Sequence, residues 1–442
     1  MNSSITATSS NVETAQQALD RLHRDFTARN PKSFAQHEQA CEVFPGGNTR
    51  TALHYPPFPL TMARGEGSRL WDLDGHEYIN LLGEYTAGLY GHSHPVVGAA
   101  IRAALDDGIS FGSINSVEAQ FGRAVVDRFP SIEQVRFTNS GTEANLMAIG
   151  LARAFTKKNR ILAFRGGYHG AVLTTGVPSS PLNAPFDIVY GRFNDIEATR
   201  EVIEANADEL AVIITEPMLG SGGCVAGDPE FLQLLRDKAD ETGAVLIFDE
   251  VMTSRLSPGG LQGKLGILPD LTTLGKYLGG GSSFGGFGGR EEIMSLFDAR
   301  KDGALMHAGT FNNNVITMVA GYTGLTQVFT PEVCIDLNAR GDELRARLNK
   351  LCQSAGVDLQ FTGVGSLMNA HVTTQPIQTI EDVMTGDMVV RDVLFHHLLQ
   401  EGIYAARRGF VALTLVVTDE DLDAYVGAVQ SFIERYEPIL KA

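Results

Sequence analysis

The sequence predicts an α/β protein, a mostly parallel sheet covered by helices, followed by a smaller α+β part. Three observations carry that reading. From about Gln134 short apolar runs alternate with segments of helical spacing, and the run 244–248 is apolar enough for a strand buried on both faces. After Thr310 the pattern turns to longer helices separated by short strands. The length of 442 residues allows about two to four domains, or one large α/β domain with an appendage.

In chain order, residues 1–12 carry no pattern and read as a frayed tail, and 12–29 has the apolar spacing of a first helix. Strands are expected at 134–138, 160–164 and 210–215, with a helix at 143–155 between the first two. A helix at 231–241 then feeds the strand 244–248. Beyond Thr310, helices are expected at 315–328, 333–354 and near 388–400, then a strand at 410–417 and a last helix from Asp419. No internal repeat is visible at the ~20–50-residue period of solenoids and propellers.

Composition narrows the function. With 43% hydrophobic and 20% charged residues the bulk of the chain is not disordered, and a formal charge of -17 provides no global field to gather nucleic acid or anionic lipid. Cys41, Cys224, Cys334 and Cys352 lack the paired spacing of a zinc site or a redox pair and read as reduced thiols. No stretch approaches ~18 uninterrupted apolar residues, and the N-terminus lacks the positive start and apolar run of a secretory signal. A soluble, cytoplasmic protein with no membrane or nucleic-acid partner is therefore expected. The 48 glycines gather at Gly279-Gly280-Gly281 and from Gly285 to Gly289, which reads as loop backbone approaching something bound.

Several short stretches could carry chemistry, and each also has a plainer reading. Ser140-Gly141-Thr142 follows a strand and opens a helix, so it suits a phosphate cradle or a simple N-cap. Asp249 ends the most apolar strand, at the carboxyl edge where open α/β sheets bind ligands, or else caps a turn. Lys276 stands in apolar surroundings that would favour a neutral amine for imine chemistry, the alternative being a surface loop lysine. Tyr168 and His169, after two glycines, could face a flat cofactor or pack in a turn. Thr310 offers a hydroxyl to an anion or caps the helix beyond it. His92 and His94 have no further ligands beside them, so no metal is expected. Taken together, a phosphate cradle, an aromatic stacker, an acid for a pyridinium nitrogen and an imine-forming lysine are the requirements of pyridoxal 5'-phosphate (PLP).

The motifs Asn139 to Ala144, Tyr168-His169-Gly170, Asp249-Glu250-Val251, Leu274-Gly275-Lys276 and Gly309-Thr310 resemble those of the class III PLP-dependent aminotransferases of fold type I. The resemblance runs from about Phe44 to the C-terminus. Within the family it is strongest to the branch of glutamate-1-semialdehyde aminomutases and β-amino acid aminotransferases. The β-phenylalanine aminotransferases stand nearest, through Arg64 to Gly67, Glu84 to Gly88, Met252 to Leu256 and Thr310 to Asn314. The chain departs from the aminomutases at Asn48-Thr49-Arg50, Ser254-Arg255-Leu256 and Asn312-Asn313-Asn314, which favours transfer between molecules over rearrangement within one.

This resemblance implies a large PLP-binding domain with a mostly parallel seven-stranded sheet at 86–325 and a smaller α+β domain made from 1–85 and 326–442. It also implies roles. Lys276 would be the imine-forming and proton-moving residue, Asp249 the partner of the ring nitrogen, and Ser140, Gly141 and Thr142 the phosphate cradle. Tyr168 would stack on the ring with His169 beside it, Val251 and Met252 would lie at its other face, and Glu216 near its hydroxyl. Thr310 would reach the neighbouring active site of a homodimer, and Arg50 and Arg408 would hold substrate carboxylates, with Arg407 competing for the second place. Arg255 reads as structural. The expected reaction passes an amino group from a β-amino acid donor to a 2-oxo acid acceptor such as 2-oxoglutarate or pyruvate. An aminomutase, a racemase and a non-catalytic PLP-binding relative are the alternatives, the last of which would be expected to lack Lys276 or Asp249.

Overall fold

The protein is seen in a computed structural model that describes residues 13–176 and 180–441. The tail expected at 1–12 lies outside the described residues. The central sheet has seven strands, β1 (Gln134–Thr138), β2 (Arg160–Phe164), β3 (Ile188–Gly191), β4 (Leu210–Thr215), β5 (Val245–Asp249), β6 (Leu271–Gly275) and β7 (Gly285–Gly289). Their spatial order is β1-β7-β6-β5-β4-β2-β3, and β7 alone runs antiparallel to its neighbours. Every residue of β4, β5 and β6 is buried, as strands covered on both faces must be.

The helix Gly141–Thr156 covers one face. Ser140 accepts a hydrogen bond from the Glu143 N–H at 3.2 Å and so starts the helix, and Lys157 in the left-handed region ends it. Its buried side is built from Ala144, Ala148, Ile149, Leu151 and Ala152, which pack on Val212, Ile214, Ile247 and Leu271. Pro229–Thr242 covers the opposite face through Phe231, Leu232 and Leu235. A four-stranded sheet joins Met62–Glu66, Arg69–Asp72 and Glu77–Asn80 to Ile403–Tyr404, and a three-stranded one joins Gln360–Val364, Leu367–His371 and Phe410–Ala412.

Some expectations need correction. The glycines 285–289 form strand β7 rather than a loop against a ligand. The close approach is real, but it comes from neighbouring chain: a Cβ on Gly288 would lie 2.5 Å from the Gln134 carbonyl oxygen and 2.7 Å from Ile132 Cγ2. The helix expected at 315–328 is α-helical only over Val315–Thr323 and widens to a π turn at Gly324–Val328. The strand expected at 410–417 ends at Ala412. The first helix starts at Ala15, where Thr14 and Gln17 form a capping box. The four cysteines are free, and among the described residues no helix is long and apolar enough to cross a membrane.

The topology sets the chemistry at one edge. Chain leaving the carboxyl ends of β1, β2, β4, β5 and β6 carries Ser140, Tyr168, Glu216, Asp249 and Lys276 respectively, so five separated segments converge there. Because the Gln134 carbonyl leaves no room for a Cβ at Gly288, Gly288→Val is expected to destabilise the protein by about 1–3 kcal/mol through overpacking. Thermal unfolding measures this, and an unchanged melting temperature would show that β7 can shift.

Candidate active site

Asp249 is 3% exposed at the end of β5, and its carboxylate is held on both oxygens. Oδ2 accepts from Asn145 Nδ2 at 2.7 Å and pairs with His169 Nδ1 at 2.9 Å, while Oδ1 accepts the Val251 N–H at 3.0 Å. Asn145 is fixed in turn, accepting from the Thr273 hydroxyl at 2.7 Å and donating to the His169 carbonyl at 3.1 Å. Burial opposes protonation of His169, but the bond to Asp249 and the charges of Asp249 and Glu216 outweigh it and raise its pKa.

Glu216 is also buried, its Oε2 accepting from the Tyr168 N–H at 2.9 Å and its Oε1 from the Gly220 N–H at 3.0 Å. Burial and then the charge of Asp249 push its pKa up to about 7. Lys276 follows β6 with φ of 54°, a backbone shape lysine rarely takes. Among the described residues its amine has no hydrogen-bond or ion-pair partner. Desolvation lowers its pKa to about 8, against the raising effect of Asp249 and Glu216 and with the help of Arg408 and Arg50.

These groups line one cavity of about 520 Å³, together with Asn139, Ser140, Gly141, Thr142, Val251 and Met252. The cavity wall is close-packed at its glycines: a Cβ on Gly141 would lie 2.9 Å from Val251 Cγ2, and one on Gly170 would lie 2.6 Å from Thr142 Cγ2. Arg50 and Tyr85 stand at the same cavity. The Arg50 guanidinium is 5.4 Å from the centre of the Tyr85 ring, and that of Arg408 is 5.2 Å from both Tyr85 and Phe410. Arg407 is committed elsewhere, to Asp392 through two bonds of 2.8 and 2.6 Å. Thr310 is exposed and does not line the cavity. Arg255 is fully buried, its guanidinium donating to the Leu413 carbonyl, away from the cavity.

Asn145, Thr273, Glu84, Tyr85 and the hydroxyls of Ser221, Ser282 and Ser283 were not singled out from sequence as site residues. Asn145 had a readable signal, since it is a polar residue beside Ala144 and one turn before Ala148 and Ile149 on the buried side of its helix. Tyr85 had none at helical or strand spacing.

The sequence pattern of the family described as Aminotransferase class-III matches residues 51–433. The chain belongs to that family. It is 54% identical over 424 residues to the β-phenylalanine transaminase of Variovorax paradoxus, covering 96% of this chain and 98% of that one. It is 36% identical over 420 residues to a glutamate-1-semialdehyde 2,1-aminomutase of Desulforamulus reducens, covering 90% and 96%. The crystal structure of a β-phenylalanine aminotransferase from Variovorax paradoxus matches with a TM-score of 0.95 at 53% identity, covering 97% of this chain and 99% of that one.

This class III aminotransferase depends on PLP, with an amino donor and an oxo acid acceptor as its substrates. Its residues fit the cofactor chemically. An unpaired amine with a depressed pKa suits a carbonyl partner, and a buried carboxylate with a free lone pair on Oδ1 suits a protonated ring nitrogen. A helix start with unpaired N–H groups and two hydroxyls suits a phosphate.

The neutral amine is the nucleophile, so acylation of Lys276 in the apoprotein should rise as pH passes about 8 rather than about 10.5. Asp249 raises that pKa, so Asp249→Asn is expected to move the midpoint lower. Peptide mapping of acylated protein across pH 6–11 (roughly the span of ordinary amine titration) measures it. A midpoint near the ordinary lysine value would show that the amine is solvated.

Proposed function

We propose that this aminotransferase takes the amino group of a β-amino acid, best an aromatic one of the β-phenylalanine kind, and gives it to a 2-oxo acid such as 2-oxoglutarate or pyruvate. The observation that carries the reading is a pair of guanidiniums with no carboxylate partner among the described residues, Arg50 in the wall of the Lys276 cavity and Arg408 sharing the ring of the cavity residue Tyr85 with it. Both reactants are carboxylates, and a guanidinium can bind a carboxylate through two parallel hydrogen bonds. The aromatic surface of Tyr85 and Phe410 next to them suits an aryl donor. The extensive identity to a β-phenylalanine transaminase supports the same substrate class.

PLP, when bound, supplies a ring that withdraws the electron pair left when the donor carbon loses its proton. The protein does the rest. Ser140, Gly141 and Thr142 would hold the phosphate at the helix start, and Thr310 would add a hydroxyl from a second subunit. Asp249, its own orientation fixed by Asn145 and His169, would keep a proton on the ring nitrogen. Tyr168 would stack on the ring, Val251 and Met252 would pack against it, and Glu216 would order the site near its hydroxyl. Lys276 Nζ, neutral in useful amount near pH 8, would be the base that takes the proton from the amine-bearing carbon of the donor and gives it up again. Over the whole reaction the donor would exchange its amino group for the oxygen of the 2-oxo acid, so that it leaves as a 3-oxo acid and the acceptor leaves as a 2-amino acid.

The homodimer rests on Thr310. Its neighbourhood exposes Ile114, Met306 and Phe311, at 84%, 88% and 60%, apolar surface that a second copy would cover.

The holoenzyme is expected to show a visible absorbance band that bleaches on addition of 3-amino-3-phenylpropanoate and returns with 2-oxoglutarate or pyruvate; Lys276→Ala should abolish turnover. A band that persists with this donor would overturn the substrate class. For the dimer, Lys276→Ala and Thr310→Ala subunits refolded together at limiting PLP should recover activity that neither shows alone, because one hybrid site carries both Lys276 and Thr310. No recovery would overturn the sharing of Thr310.

A further inference from the structure

The turn Gly83–Thr86 is held in a backbone shape that its residues resist. Gly83, Glu84, Tyr85 and Thr86 have φ of 50°, 47°, 54° and 81°, and only the first is glycine. A non-glycine residue in that region is strained and persists only where its surroundings hold it. Asn80 is the main restraint. Buried at the end of the strand Glu77–Asn80, it accepts from the Leu82 and Gly83 N–H groups at 3.1 and 3.2 Å and donates to Glu84 Oε1 at 2.7 Å. Gly83 lies so close to the chain after Gly409 that an added Cβ would come 2.7 Å from the Ala412 carbonyl oxygen.

The strained turn delivers the Tyr85 ring to the two free arginines. Its ring is nearly parallel to that of Phe410, 12° apart in plane with centres separated by 6.2 Å, and Arg408 is 5.2 Å from each. Arg50 approaches the same tyrosine at 5.4 Å, and the Tyr85 hydroxyl makes only a long, exposed contact of 3.3 Å to the Ala52 carbonyl, so the ring face is the main hold on Arg50. Two guanidiniums drawn toward one point repel, and the negative face of an aromatic ring is attractive to both. No carboxylate performs that task among the described residues, which leaves both cations free to take a ligand carboxylate.

We propose that Tyr85 is a positioning residue that holds Arg50 and Arg408 as one carboxylate-binding array, so that donor and acceptor carboxylates both depend on it. This rests on the carboxylate role of the two arginines. Removing the ring should weaken both substrates together, by about five- to thirtyfold in KM, the size of one or two cation–π contacts. The effect on kcat should be much smaller, because Lys276 and the cofactor groups are held by the sheet edge.

The test compares wild-type, Tyr85→Phe and Tyr85→Leu holoenzymes with 3-amino-3-phenylpropanoate and 2-oxoglutarate, and measures inhibition by 3-phenylpropanoate, which carries the carboxylate without the amine. Tyr85→Phe should keep KM within about twofold, while Tyr85→Leu should raise both KM values and the inhibition constant with the visible band unchanged. Should Tyr85→Leu yield no holoenzyme, phenylalanines of increasing fluorination at position 85 keep the shape and weaken the ring face, and KM should climb with fluorine number. Unchanged KM values, or a rise for only one substrate, would overturn the shared role. A wild-type enzyme that moves no nitrogen from 3-amino-3-phenylpropanoate would instead overturn the substrate reading.

Discussion

A buried carboxylate with defined partners organises this protein. Asp249 cannot sit uncompensated at the end of a strand whose every residue is buried, since an isolated charge there would cost several kcal/mol. Asn145 comes from the covering helix, His169 from the segment after β2, and Thr273 from β6 by way of Asn145. Satisfying one charge therefore fixes three separate pieces of chain relative to the sheet edge. The wall that positions a ring against Lys276 follows from that requirement.

The same charge enters a contest at Lys276. Desolvation favours the neutral amine, Asp249 and Glu216 favour the ammonium, and the two arginines push back toward neutrality, with a pKa near 8 as the result. The size of that shift matters. At pH 7 an ordinary lysine is neutral in roughly one molecule in three thousand, whereas one with a pKa near 8 is neutral in about one in ten. The arginines thus act on the lysine from a distance, and a ligand carboxylate neutralising them would shift its balance back toward the ammonium.

Legibility in the sequence followed physical locality. Strands β1, β2, β4 and β5 were readable because each is a short apolar run bounded by turn residues, and Ser140, Asp249 and Lys276 because each adjoins such a run. Strand β7 was unreadable, as five residues of which four are glycine carry no hydrophobic period; at Gly285, Gly288 and Gly289 neighbouring backbone leaves no space for a Cβ. The choice between Arg407 and Arg408 was equally hidden, because it turns on Asp392, fifteen residues upstream, binding one of the two. Family resemblance supplied the roles of Thr310 and the arginines, which no spacing would have disclosed.

The two halves of the site are built on different physics. The groups proposed to handle the ring and its protons stand at strand ends, Asp249 and Glu216 locked by buried hydrogen bonds, so their geometry survives changes in the surrounding loops. The groups proposed to meet the substrate carboxylates stand on loops, beside an aromatic ring on a turn of unfavourable backbone shape. A cation–π contact has no bond directions to satisfy, so it restrains a guanidinium without using up its N–H groups. An ion pair such as that of Arg407 with Asp392 would restrain it more tightly and leave less of it to bind a substrate. A site that must accept two different acids in alternation is better served by the looser restraint.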